Sequence, residues 1–406
     1  MDLVVQKYGG TSVGSAERIK NVARRIAEAQ KAGKDVVVVA SAMGDTTDEL
    51  ISLARQVTDQ PDDRELDQLL STGEMVSCTL LAMALRSQGY HAVSLNGAQA
   101  GIKTDSFHRR ARILSIEPQR ITRELELGRI VIVAGFQGIT EKMDITTLGR
   151  GGSDLTAVAL AARLGARQCE IYTDVEGVYT ADPRIEPQAR KLADISYEEM
   201  VELASHGARV MHPRAVEVGQ VYGLPILVAS SFSNASGTLI QGEVVMESRN
   251  KVRGIAHDTD VAKVTVLGVP DRPGIASAVF EPLAEEGINV DTIVQNASVE
   301  RFTDLTFTVS RNDLARAMGL VEPIARSIGA RGCTNDACMA KVSIVGTGMA
   351  SSPGYAARMF KALYQAGINI ELITTSEIRI TCIIAEDQVQ GAVRTLHRAF
   401  ELEKAD

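Results

Sequence analysis

The last third of the chain repeats itself. Lys263-Val264-Thr265-Val266-Leu267-Gly268 returns as Lys341-Val342-Ser343-Ile344-Val345-Gly346, Pro273-Gly274 as Pro353-Gly354, Phe280 as Phe360, and Gly287-Ile288-Asn289 as Gly367-Ile368-Asn369. In both copies 16 residues separate proline from asparagine, 289 minus 273 and 369 minus 353. A fixed internal period means one supersecondary unit used twice. Each copy reads strand, Pro-Gly turn, helix, Gly-Ile-Asn turn, strand, then further strand and helix, which is a βαββαβ module. Units this short bury too little surface alone, so the two should share a sheet or an interface. A polar link from Gly242 to Lys251 separates them from what precedes.

The first 245 residues follow a different grammar. Leu3-Val4-Val5 is a short apolar strand that runs through Gln6 into Lys7-Tyr8-Gly9-Gly10-Thr11-Ser12-Val13-Gly14-Ser15. Glycines there let the backbone approach a ligand, and a helix beginning near Ser15 aims its positive end at an anion. The loop is not a P-loop, since no Gly-Lys-Ser/Thr closes it, and it lacks the dinucleotide spacing. Ile19, Val22, Ala23, Ile26 and Ala27 recur at helical spacing until Gly33, and Val36 to Val39 then read as a doubly buried strand. Strand–helix–strand implies a parallel sheet, whose ligands gather beyond the strands' C-terminal ends. The loop Ser41-Ala42-Met43-Gly44-Asp45-Thr46-Thr47-Asp48 therefore lies beside the first.

Further along, residues 63 to 88 read as a helix interrupted by Leu70-Ser71-Thr72-Gly73-Glu74. Glutamate is usually exposed, so a solvated carboxylate competes with a functional Glu74. Strands follow at Ala92 to Leu95 and Ile130 to Ala134. A second glycine-rich loop, Thr146 to Asp154, leads into an alanine-rich helix and carries Arg150, whose guanidinium can grip a carboxylate or phosphate bidentately. Asp154 is placed to hold a lysine or a metal, or simply to cap the helix. After the strand Glu170 to Val175, the loop from Gly177 to Arg184 offers a ring, hydroxyls and a guanidinium suited to an adenine and its phosphates, or is a turn fixed by Asp182-Pro183. A helix from Tyr197 to Ser205 precedes Arg209, another cation, and strands near 226–228 and 237–240 close the domain.

Composition excludes more than it assigns. A net charge of −8 without any basic run argues against nucleic acid as a partner. An N-terminus that enters a strand at once, and the lack of an apolar run near twenty residues, lead to the expectation of a cytoplasmic protein with no membrane partner. Cys78, Cys169, Cys333, Cys338 and Cys382 have no metal-ligand spacing and read as reduced thiols.

Taken together, Lys7 to Ser15, Leu70 to Glu74, Gly149 to Asp154 and the doubled Pro-Gly unit resemble the aspartokinases of the amino-acid kinase family, over essentially the whole chain. The stretch Val36 to Leu50 is most similar to the class found in actinobacteria and thermophilic bacteria. The resemblance implies an α/β amino-acid kinase fold, with a mostly parallel central sheet between helices, over 1–245, followed by two ACT modules at 263–338 and 339–406. Residues 246–262 would be a linker and the start of the second module's sheet, because the first module is commonly inserted within the second. It implies transfer of the γ-phosphoryl of MgATP to the side-chain carboxylate of L-aspartate, giving 4-phospho-L-aspartate, the first step toward lysine, threonine, methionine and diaminopimelate. Magnesium would be carried by ATP rather than ligated by a side chain.

By position, Lys7 and Asp154 would be catalytic, with Lys7, Tyr8, Gly9, Gly10, Ser41, Thr173, Asp174, Tyr179, Asp182, Arg184 and Arg209 at the nucleotide. Arg209 stands where many relatives have lysine, which changes the geometry of the charge. Thr47, Glu74, Arg150, Gly151, Gly152 and Ser153 would bind aspartate. Lysine, threonine or both would act as feedback effectors at Asp271, Pro273, Gly274, Ile275, Ala276, Asn289, Asp291 and Gln295 of the first module and Pro353, Asn369, Ile370, Thr375 and Glu377 of the second. ACT modules pairing edge to edge imply a homo-oligomer, and Met246 could start a separate regulatory chain. Two rivals are a kinase of the same fold acting on another acid, opposed by the Leu70 to Glu74 motif, and a dead sensor, opposed by the presence of Lys7, Arg150 and Asp154. With no nicotinamide fingerprint after the repeats, the expectation is an enzyme without a fused homoserine dehydrogenase.

Overall fold

The computed structural model describes residues 2–208, 210–242, 251–296 and 302–404. It divides into two compact units, one of residues 1–179 and 191–247, the other of 180–190 and 248–406. The segment 180–190, read from sequence as kinase, thus groups with the repeats.

In the first unit the elements run β1 (Leu3–Tyr8), α1 (Ala16–Lys31), β2 (Asp35–Ala40), α2 (Thr46–Val57), α3 (Asp63–Ser87), β3 (Ala92–Leu95), β4 (Ile102–Thr104), β5 (Ile113–Ile116), α4 (Gln119–Glu126), β6 (Ile130–Ala134), β7 (Gln137–Ile139), β8 (Ile145–Thr147) and α5 (Gly152–Leu164). They continue with β9 (Gln168–Thr173), β10 (Asp194–Ser196), α6 (Tyr197–Ser205), α7 (Pro213–Tyr222), β11 (Ile226–Ser230) and β12 (Thr238–Gln241). The main sheet has the order β10-β12-β11-β9-β1-β2-β6-β3, parallel except between β11 and β12. Valine and isoleucine runs form its centre because β2 and β6 are buried on both faces. Helix α1 turns Ile19, Val22, Ala23, Ile26 and Ala27 inward, and the Ser15 hydroxyl caps it at the Arg18 N–H. Leu81 and Leu85 of α3 join the same core. A small sheet, β5-β4-β7-β8, is built from short segments that the apolar pattern does not reveal.

Among the described residues α3 is long and apolar enough, by length and composition, to cross a membrane, but half of its most apolar window is buried inside the protein. Its inward face also carries Asp67 and Glu74.

The second unit holds β13 (Gly254–Pro270), α8 (Ile275–Glu285), β14 (Ile293–Gln295), β15 (Phe302–Val309), α9 (Leu314–Ile328), β16 (Gly332–Val345), α10 (Tyr355–Gln365), β17 (Leu372–Thr375), β18 (Arg379–Ala385) and α11 (Val389–Ala399). One antiparallel sheet, β14-β15-β13-β16-β18-β17, serves both repeats. Its two central strands are shared: Gly254 to Asp258 of β13 pair with Val345 to Lys341, while Val264 to Leu267 pair with Asn335 to Gly332. The repeat recurs in the backbone. Gly274 and Gly354 are the N-caps of α8 and α10 with φ of 92° and 106°, left-handed values that explain a glycine after each proline. Each copy keeps its own apolar core, one around Val266, Val279 and Phe307, the other around Val342, Leu363 and Leu396.

Candidate active site

Because β1, β2, β6 and β9 are parallel neighbours, the loops that leave their C-terminal ends share one edge. Loops one and two are stitched together there. The Ser41 N–H donates to the Tyr8 carbonyl at 3.1 Å and the Gly44 N–H to the Gly10 carbonyl at 3.1 Å. A Cβ on Gly10 would lie 2.9 Å from the Ala42 carbonyl oxygen, so only glycine fits that crossing.

The loop before α5 completes the centre. Lys7 Nζ, at the end of β1, sits 2.6 Å from Asp154 Oδ1, with side chains only 11% and 9% exposed. In so little water this pair is held far more strongly than a surface ion pair. Asp154 is not the helix cap: that position is Gly151, with φ of 69° and no side-chain bond. The other Asp154 oxygen accepts the His212 N–H at 3.3 Å. A Cβ on Gly151 would come within 2.5 Å of the His212 side chain.

Glu74 is buried rather than solvated, with 3% exposure. Its Oε1 accepts the Ala42 N–H at 3.2 Å, whereas buried Oε2 has no hydrogen-bond partner. Burial pushes its carboxyl up to about 7. An orphaned buried carboxylate oxygen is costly unless a ligand completes it, and a ligand ammonium would also restore its charge. The neighbouring Gly73 lets α3 press on loop two, since a Cβ there would meet that of Ala42 at 2.9 Å. Ser77 Oγ donates to the Ser41 carbonyl at 2.7 Å, a tie with no signature in the sequence. Thr47 is half-buried in the first turn of α2, Ser153 buried in the first turn of α5. Arg150 is exposed and makes no bond to a described residue.

The nucleotide-side residues are dispersed. The Tyr8 ring is wholly buried, stacked on Tyr172 with centroids 5.0 Å apart, so its backbone and not its side chain faces the loops. Thr173 and Asp174, bonded Oγ1 to Oδ1 at 3.1 Å, lie at the C-terminal end of β9, the strand that pairs with β1. Tyr179 is half-buried and bridges to Lys191. Asp182 and Arg184 lie on the segment that groups with the second unit and pair with each other at 2.7 Å, the guanidinium holding the Asp182 carboxyl below its usual range. Arg209 lies outside the described residues.

Besides Ser77, the residues Asp67, His212 and Arg214 of the neighbourhood escape the sequence reading. Arg214 donates to the carbonyls of Leu148 and Ala111, both at 3.1 Å, and so braces the loop that carries Arg150. The sequence marks Asp67 only by its place seven residues before Glu74, on the same face of α3, which says nothing of its partners.

The chain is similar to known proteins along nearly its whole length. The amino acid kinase family profile matches residues 2–230, and ACT-domain profiles match 263–325 and 342–400. An aspartokinase of Bacillus sp. (strain MGA3) is 52% identical over 402 residues, 99% of this chain and 98% of its own. Aspartokinase 2 of Bacillus subtilis (strain 168) is 51% identical over 405 residues, covering 100% and 99% of the two chains. The crystal structure of E. coli aspartokinase III in complex with aspartate and ADP matches with a TM-score of 0.81 at 25% identity, covering 98% of this chain and 99% of that one.

The chain belongs to the amino acid kinase family, extended by two ACT domains. Its activity within that family is that of an aspartate kinase.

Proposed function

We propose that the enzyme moves the γ-phosphoryl of MgATP to the side-chain carboxylate of L-aspartate with Lys7 as its central cation. The observation that carries this reading is the buried Lys7–Asp154 pair at 2.6 Å. The acceptor carboxylate, with a free pKa of about 3.9, is already ionised and needs no general base. Phosphoryl transfer instead needs positioning and charge neutralisation. Lys7 meets the transferring oxygens, and Asp154 holds that ammonium in place. Glu74 takes the α-amino group, whose charge suits its unpartnered oxygen. Arg150 takes a carboxylate, Thr47 and Ser153 donate hydrogen bonds, and Gly151 and Gly152 leave room for the substrate. Gly9, Gly10 and Ser41 line the phosphates, while Thr173, Asp174 and Tyr179 face the nucleoside. Carried by the nucleotide, magnesium would supply neutralisation of phosphate charge, with the oxygens of Asp174 and Thr173 facing it and not ligating it directly. The aspartate and ADP bound by the E. coli relative support both ligands.

The product, an acyl phosphate, would open lysine, threonine, methionine and diaminopimelate synthesis in the cytoplasm. Lysine, threonine or both would inhibit at the ACT modules. There Asp271, Pro273, Asn289, Asp291 and Gln295 are exposed, as are Pro353, Asn369, Thr375 and Glu377. The outer strands β14 and β17 carry Gln295 and Thr375 at the two sheet ends, which supports pairing of copies edge to edge. Met246, the start of the expected regulatory chain, lies outside the described residues. The test is a hydroxamate assay for acyl phosphate with MgATP and aspartate, repeated with lysine and threonine singly and together. Aspartate-dependent hydroxamate is expected, and conversion of glutamate or uridylate instead would overturn the substrate assignment.

A further inference from the structure

Asp67 is completely buried in α3, and every described partner belongs to a segment bordering the substrate loop. Its carboxylate accepts the Thr147 N–H at 3.0 Å, the Thr147 hydroxyl at 2.5 Å and His108 Nδ1 at 3.0 Å. It also accepts the Arg109 N–H at 2.9 Å and 3.1 Å. Arg109 reaches that position with φ of 66°, a left-handed value that costs a non-glycine residue about 1 kcal/mol or more. The knot extends outward. The Ala111 N–H donates to the Thr147 carbonyl at 2.9 Å, and a Cβ on Gly149 would lie 3.1 Å from the Arg109 carbonyl. Thr147 ends β8, three residues before Arg150.

The same helix carries Glu74 seven residues on, two turns and about 10 Å along the axis on the same face. One rigid element therefore fixes both anchors assigned to the substrate. It holds the ammonium anchor directly and the carboxylate anchor through Asp67 and Thr147. We propose that Asp67 is a positioning residue which sets the span between Glu74 and Arg150, so that the ammonium and the α-carboxylate of aspartate are gripped together and its side chain is aimed at the phosphoryl donor. The proposal rests on the assignment of Glu74 and Arg150 given above. A slack of 1 Å in such a span is worth roughly 100-fold in rate.

The experiment is steady-state kinetics of Asp67→Asn and Thr147→Val with aspartate and then ATP as the varied substrate, alongside thermal unfolding. Asp67→Asn keeps the shape and loses one acceptor; Thr147→Val removes only the hydroxyl. The expected result is an aspartate KM raised about 10- to 100-fold with the ATP KM within about twofold. Thr147→Val should raise the aspartate KM by less, and it decides the matter if Asp67→Asn does not fold. A lowered Tm with unchanged aspartate KM would overturn the proposal, as would equal rises in KM for aspartate and ATP. Arg150→Ala separates the two layers of argument: an unchanged aspartate KM there removes the underlying assignment, whatever Asp67→Asn shows.

Discussion

Two side chains set the chemistry, and each makes a separate forecast. Lys7→Ala removes the cation that meets the transferring phosphoryl, and the loss should fall on kcat, by about 100- to 1000-fold, the size seen when one preorganised donor to a developing charge is deleted. Asp154 would then be a buried carboxylate without its lysine, so a drop in Tm should accompany it. Glu74 forecasts a pH profile. Burial raises its carboxyl from 4.5 to about 7, so below that pH the free enzyme holds it protonated and unable to pair with an ammonium. The kcat/KM for aspartate should therefore fall as pH drops through about 7, and Glu74→Gln should abolish that limb while lowering activity throughout. Linkage has the opposite sign for stability. A carboxyl raised in the folded state favours folding at low pH, so the ligand-free enzyme should lose stability as pH rises from about 4.5 to about 7, and saturating aspartate should diminish that loss. Lys7, Arg150 and the glycines were legible because loop chemistry is written in consecutive residues. Asp67 was not, because its meaning lies in partners 41 to 80 positions away.

At the level of elements, the site depends on places where backbones touch. Gly151 combines a left-handed φ of 69° with a Cβ position 2.5 Å from His212. Gly151→Ala should thus cost about 1–3 kcal/mol of stability and displace Arg150 and Asp154 together. Denaturant unfolding with parallel kinetics would show both losses, whereas Gly33→Ala, left-handed but with open space around it, should cost stability alone. The strands and long helices were readable from periodicity, down to α3 spanning Asp63–Ser87. The sheet β5-β4-β7-β8 was not, since segments of three or four residues carry too few apolar positions for a period.

Across the whole molecule, the segment 180–190 leaves the kinase unit after Tyr179 and is built into the second unit. Ala181 joins the apolar core of α10 and α11. The Ile255 N–H donates to the Thr180 carbonyl at 2.8 Å, and Arg394 Nε to the Ile185 carbonyl at 2.9 Å. Thr180 Oγ1 lies 3.0 Å from Nε2 of His397, whose imidazole is wholly buried and held below its usual pKa by that burial. Thr180→Val leaves that nitrogen without its partner and should cost about 1–3 kcal/mol, read as a lower denaturation midpoint. The effector sites call for a cleaner probe than Asp291. That carboxylate is paired with Lys341, a buried lysine whose pKa burial lowers to about 8, so removing it disturbs the sheet as well as any ligand. Gln295→Ala, exposed on the outer strand β14, should weaken inhibition by lysine or threonine with uninhibited turnover unchanged; unaltered inhibition curves would remove the residue from the site.

What the sequence determined alone is whatever is local or periodic: the buried strands, the glycine loops with Lys7 and Arg150, and the doubled module with its Pro-Gly turns. Folding decided how distant parts meet. It made β13 and β16 common to both repeats, built 180–190 into the second unit, and brought Asp67 onto Thr147. The physical reason is that local conformation is set by nearest neighbours in the chain, whereas burying a carboxylate or sharing a strand requires partners that only a closed fold supplies.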